Sequence, residues 1–250
     1  MFQDSHCHLY MLSAKELEKA LDEADSVGVK QMVSCSTSFK SNKDNLYLAE
    51  NYPAIKAALG LYPLDALELS NEEFELAFSF IKNQVKKDFV VAIGEVGLDH
   101  KFAKDDVDKE RQEYLFRKFI SLSKEIGKPI VVHSRYAQSQ ALNVLISEKA
   151  EKVLLHSFVD SSKLMKQAAE QGYFVSVGMV ILENEDVQKR IKEFPLENLL
   201  LETDCPIRFN REKAMPKDIV RIAEKVAEIK EVPVWQVEEQ IEKNFKTLFG

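Results

Sequence analysis

Eight short apolar runs recur along this chain, each followed by a longer amphipathic segment, and that alternation constrains the fold more than any other feature. The runs are FQDSHCHL from Phe2, KQMVSCS from Lys30, IKAALGLYP from Ile55, FVVAIGEVGLD from Phe89, PIVVHS from Pro129, KVLLHSF from Lys152, YFVSVG from Tyr173 and NLLLETD from Asn198. Between and after them lie helical patterns over 13–27, 70–86, 108–126, 137–149, 161–171, 185–193, 216–229 and 233–249, with a weaker one over 41–52. Strands alternating with helices predict a parallel sheet. Runs that are apolar almost throughout are expected where both faces of the sheet are covered. Eight such units in 250 residues predict an α/β fold of the (β/α)8 TIM-barrel class, in a single domain spanning 1–250. The rival, an open doubly wound sheet, is weakened because no GxGxxG follows the first strand. The stretches 195–198 and 204–216 read as loops, and Trp235 with the Phe-rich C-terminal helix reads as core.

In a barrel of this kind, chemistry sits at the C-terminal ends of the strands. Strand one ends in His6 and His8, whose side chains share a face while Cys7 points away. Strand four ends in Glu95, strand five in His133, strand six in His156 and strand eight in Asp204. Four of the five histidines thus fall where an active site belongs. Six candidate ligands exceed the needs of one tetrahedral ion. They suit two, with Glu95 as the natural bridge, because an ionised carboxylate offers two oxygens. Two divalent ions would acidify a water and steady the attacking and leaving oxygens. Asp204 would bind metal and take up the proton of that water. The expected chemistry is hydrolysis of a phosphate ester, ester or amide, with Glu95 and Asp204 as the catalytic carboxylates.

Arg135, two residues beyond His133, suits a substrate phosphate or carboxylate; an ion pair with a rim acid is the alternative. Asp4 and Asp99 are candidates for orienting histidines. The charge balance of 34 basic against 41 acidic residues, net −7, argues against bulk attraction to nucleic acid or an anionic membrane. It leaves room for a local cationic site made by metals. The three cysteines have no CxxC spacing, and there is no signal-peptide pattern and no membrane-length apolar run, so a cytoplasmic protein is expected. No long exposed apolar helix is evident, which makes a monomer the default.

Taken together, DSHCHL, GLYP, AIGEVGLD, the Gln112–Phe119 helix leading into KPIVVHSR, LLHSF, YFVSVG, LLETDCP and NFKTLFG resemble the TatD-type metal-dependent hydrolases of the amidohydrolase superfamily. The resemblance runs from Asp4 to Phe249. It implies a (β/α)8 barrel with two divalent ions, one held by His6, His8, Glu95 and Asp204, the other by Glu95, His133 and His156. A carboxylate at Glu95, where some superfamily relatives carry a modified lysine, favours the TatD branch. It further implies a deoxyribonuclease of the 3′–5′ exonuclease type acting on DNA or RNA ends. The alternative is hydrolysis of an acyl ester or amide, such as D-aminoacyl-tRNA deacylation. Imidazole ligands favour Zn²⁺ or Mn²⁺, whereas the nuclease members point to Mg²⁺. Two departures stand out. Tyr62 occupies the place where the family commonly has a histidine; it can donate a hydrogen bond to substrate but cannot be a cation. The loop after LLETD is unusually basic, and its Arg208 and Arg211 could meet a phosphate backbone or remain solvated.

Overall fold

The computed structural model describes residues 1–250. Its elements run β1 (Phe2–Cys7), α1 (Ala14–Ser26), β2 (Val29–Cys35), α2 (Phe39–Asn51), β3 (Ile55–Leu59), α3 (Pro63–Glu68), α4 (Asn71–Gln84), β4 (Val90–Asp99), α5 (Asp106–Ile126) and β5 (Ile130–Arg135). They continue with α6 (Gln138–Ser147), β6 (Val153–Leu155), α7 (Ser162–Glu170), β7 (Phe174–Val177), α8 (Glu185–Glu193), β8 (Leu199–Leu201), the hairpin β9 (Arg208–Phe209) and β10 (Glu212–Lys213), α9 (Ile219–Lys230) and α10 (Val234–Phe249). The strands β1 to β8 follow one another in chain order in one sheet. That connectivity is the one a (β/α)8 barrel requires. No helix is long and apolar enough to cross a membrane.

The chain divides into two compact units, one of residues 1–34, 156–248 and 250, the other of 35–155 and 249. In the first, β1 pairs parallel with β2 and β7 with β8, and β8 lies against β1. Ser13 and Glu16 close a reciprocal cap on α1, the Ser13 N–H donating to the Glu16 carboxylate at 3.0 Å, as the SAKE motif requires. The Asn244 amide on α10 donates to the carbonyls of Leu196 and Leu199, each at 2.7 Å. The last helix is thereby pinned to the start of β8. In the second unit β3, β4, β5 and β6 form a continuous parallel ladder. Phe74 of α4 packs edge-on against Phe119 of α5, and both are buried.

Four local features differ from the sequence reading. Helix α2 starts at Phe39, ahead of the expected 41–52, because Ser38 and Ser41 cap each other reciprocally; a serine stands where the capping pattern would show Glu or Gln. Strand β3 stops at Leu59 and the Tyr62–Pro63 step opens the short α3, with Pro63 in the first turn, where its missing N–H costs nothing. The stretch 204–216 contains the β9–β10 hairpin. Asn210 and Arg211 both adopt positive φ, 45° and 72°, the backbone of a two-residue type I′ turn; Arg in place of the usual Gly hid it. Trp235 is not core: it is 63% exposed at the start of α10.

The close approach of β4 to β5 depends on Gly97. Its φ is +137°, and a Cβ there would lie 2.1 Å from the His133 carbonyl oxygen. Gly97→Ala is therefore expected to combine backbone strain with displacement of His133, a loss of at least ~2 kcal/mol. Urea denaturation measures it, and an unshifted midpoint would refute the reading.

Candidate metal centre

The first unit brings three predicted ligands together. His6 is the penultimate residue of β1 and His8 stands at the turn that follows. Their Nε2 atoms are 3.3 Å apart, while Cys7 points away and donates its thiol to the Val33 carbonyl. Asp204 Oδ1 lies 3.6 Å from His6 Nε2 and 3.2 Å from His8 Nε2. Donors bound tetrahedrally at ~2.1 Å to one ion stand ~3.4 Å from each other. The three edges of this triangle match that spacing, and its donor chemistry of two imidazoles and a carboxylate suits a divalent ion. Asp204 has a positive φ of 57°, and its N–H donates to the His6 carbonyl at 3.0 Å. Burial would raise its carboxyl, but His6 and His8 outweigh that and hold it well below the usual carboxylate range.

Asp4 organises the backbone beneath this triangle rather than an imidazole. Its carboxylate accepts the N–H of His6 at 3.2 Å and that of Thr203 at 3.0 Å, and also the Thr203 hydroxyl. The Thr203 hydroxyl oxygen in turn accepts the Cys205 N–H. Burial pushes the Asp4 carboxyl up to about 8 against these hydrogen bonds. Cys205 is fully buried, and burial raises its thiol.

His156 follows β6, stacked face to face on His6 with ring centroids 3.9 Å apart. Its Nδ1 lies 3.4 Å from Glu202 Oε2, which also accepts the Ser176 hydroxyl at 2.6 Å. Neither Glu202 nor Ser176 is among the candidates expected from the sequence. Their signal was present: a carboxylate closing the all-leucine β8, and a lone hydroxyl inside YFVSVG.

In the second unit, Glu95 and His133 meet at 2.8 Å, Oε1 to Nδ1. His133 Nε2 faces Asp99 Oδ2 at 3.3 Å and the Tyr62 hydroxyl at 3.2 Å. That hydroxyl donates to Asp99 Oδ2. Asp99 Oδ1 accepts the Lys101 N–H at 3.0 Å. The Gln112 amide brackets the Asp99 backbone, accepting its N–H and donating to its carbonyl. Gln112 thus has a structural role that its place in a helical motif did not disclose. Burial would raise the Asp99 carboxyl, but the bonds from His133 and Tyr62 keep it below its ordinary value. Burial, then the bond to Asp99, push the Tyr62 hydroxyl far above its ordinary range.

Arg135 ends β5, exposed, its guanidinium 5.7 Å from the Phe102 ring centre; it forms no ion pair. Arg208 sits on the hairpin and donates to the Arg211 carbonyl at 2.8 Å.

Residues 3–250 match the TatD related DNase family. The chain belongs to this family. It is 31% identical to the uncharacterized metal-dependent hydrolase YabD of Bacillus subtilis, covering 100% of this chain and 99% of that protein. It is 32% identical to human deoxyribonuclease TATDN3, over 98% and 93% of the two chains. The crystal structure of the TatD homolog YjjV from Escherichia coli superposes with a TM-score of 0.90 at 28% identity, covering 99% of this chain and 97% of that one. The chain is thus a metal-dependent hydrolase of the TatD family with the (β/α)8 barrel fold.

Metal removal by a chelator should lower the melting temperature. Zn²⁺ or Mn²⁺ restored at about a hundredfold over Kd should return ~2.7 kcal/mol of stability, and most of that gain should disappear in Asp204→Asn. Superimposable melting curves with and without metal would refute this assignment of the triangle.

Proposed function

We propose that His6, His8, Glu95, His133, His156 and Asp204 hold two divalent ions. In this reading residues 1–250 work as one domain that hydrolyses phosphodiester bonds at nucleic-acid ends. The observation that carries it is the His6–His8–Asp204 triangle, whose edges of 3.2 to 3.6 Å suit neighbouring donors on one ion. Six candidate ligands would suit two ions, and Glu95, with two carboxylate oxygens, would be available to both. Zn²⁺, Mn²⁺ and Mg²⁺ are the candidates, imidazoles favouring the first two. Bound ions supply Lewis acidity at the scissile group and a more acidic attacking water.

The protein's own groups supply the rest. Both histidine contacts of Asp204 fall on Oδ1, so Oδ2 is the oxygen to accept the proton of the attacking water. An ionised aspartate is acceptor-only, with oxygens able to take up that proton. Arg135, exposed and without an acidic partner, is the group to grip a phosphate in the bidentate manner of a guanidinium. Arg208 has one N–H committed to its own turn and its other donors left for a more distant part of the strand. That human TATDN3 is named a deoxyribonuclease favours this substrate class over acyl esters and amides.

The test uses single-stranded DNA labelled at its 5′ end, with metal-stripped protein supplied with Mg²⁺ or Mn²⁺. A ladder shortening from the 3′ end is expected. Asp204→Asn should lower the rate ~10²- to 10⁴-fold, and Arg135→Ala should lower kcat/KM ~10- to 100-fold, in line with loss of a charged hydrogen bond. DNA left intact in both metals would overturn the reading and move attention to ester and amide substrates.

A further inference from the structure

His133 is held from both ends of its ring. Nδ1 stands 2.8 Å from Glu95 Oε1, and Nε2 faces Asp99 Oδ2 at 3.3 Å and the Tyr62 oxygen at 3.2 Å. A neutral imidazole carries one N–H, and an ionised carboxylate can only accept. If Glu95 and His133 are ligands, as proposed above, their facing atoms are neighbouring donors on an ion, and Nδ1 must present its lone pair there. The ring proton then belongs on Nε2, where it meets the acceptors Asp99 and Tyr62.

Tyr62 is built for that place. Its backbone N–H donates to the Thr37 carbonyl at 2.7 Å, and Pro63 starts α3 directly after it. Its ring meets His133 edge-on, with centroids 4.7 Å apart. Its single hydroxyl proton goes to Asp99 Oδ2, so its oxygen lone pairs are what it offers to His133. A hydroxyl whose one proton is committed in this way has none to give a substrate. Asp99 is itself immobilised by Lys101 and Gln112.

We infer that Tyr62 is a positioning residue: together with Asp99 it fixes His133 in the tautomer protonated at Nε2, which turns the Nδ1 lone pair toward the metal, and it does not contact substrate. This replaces the expectation of a substrate contact at Tyr62 and rests on the reading of His133 as a ligand. Partners of metal-bound histidines that act in this way typically alter metal affinity or activity by roughly 10- to 100-fold.

The experiment is a competition titration of metal-free protein with Zn²⁺ against a chromophoric chelator, giving the number and affinity of sites, alongside KM and kcat on labelled DNA at saturating metal. Tyr62→Phe keeps the ring and removes only the hydroxyl. It should weaken one site roughly 10- to 100-fold, leave KM within about twofold, and recover kcat as metal is raised. Asp99→Asn, which cannot accept in the same way at both oxygens, should weaken the same site and carries the test if Tyr62→Phe does not fold. A raised KM with unchanged metal affinity would make Tyr62 a substrate contact and overturn the inference, as would no change in either quantity. His133→Ala separates the two levels. If it leaves the number of bound ions unaltered, the ligand reading itself fails. If it removes one ion while Tyr62→Phe changes nothing, only the positioning role fails.

Discussion

Ionisable side chains buried at the ends of apolar strands cost several kcal/mol each unless they are paired or fully hydrogen-bonded. That constraint shapes everything around the ligand positions of this chain. Asp4, Glu95, Asp99 and Glu202 are all at most 3% exposed, and none is left to itself. Asp4 collects donors from His6 and Thr203, and Asp99 from Lys101 and Tyr62. Glu202 has Ser176 and His156, and Glu95 has His133. The groups that satisfy these acids are mostly backbone N–H groups and short hydroxyls, which are cheap to immobilise. In the second unit the satisfied acid Asp99 faces the His133 imidazole at 3.3 Å, so the bonds that satisfy the acid also bear on the placement of that candidate ligand.

Such density of polar contact is possible only where backbones come unusually close. A Cβ at Gly60 would lie 2.6 Å from the Gly94 carbonyl carbon and 2.9 Å from the Glu95 nitrogen. In the first unit, non-glycine residues at or next to the candidate ligands take the left-handed backbone conformation. Asp204 and Ser157, the latter directly after His156, both take positive φ. Backbone in that region is tolerated when the surroundings fix it, and it clusters at functional sites. For Asp204 the surroundings are the bond from its N–H to His6 and the neighbouring bond from the His8 N–H to the Cys205 carbonyl at 2.6 Å.

These physical facts explain which parts of the protein were legible in the sequence. The eight strands showed because apolar runs covered on both faces leave a continuous hydrophobic signal, and each polar candidate then stood out as an interruption at a run's end. The capping boxes of α1 and α4 showed because Ser and Glu recur three residues apart. Helix α2 blurred because its cap uses two serines, and the hairpin after β8 because its turn is Asn-Arg. Trp235 misled because apolar spacing on a helix says which residues share a face, not which face is covered. Glu202 and Gln112 are visible in the sequence, but their partners are not. Each acts on a partner distant in sequence, His156 and Asp99, and no local pattern encodes that pairing.

Charge connects the site to its substrate. The chain carries a net −7, so its overall field repels an anionic polymer, and attraction has to arise locally. Tyr62 contributes no charge and gives its proton to Asp99. Arg135, exposed at the end of β5 with no acidic partner, is the group that tips the balance toward an anion. Under the proposed function, attraction of a phosphate therefore comes from local cations such as Arg135 rather than from a basic surface, and added salt should weaken it through those contacts within the reach of screening, roughly 8 Å at physiological ionic strength.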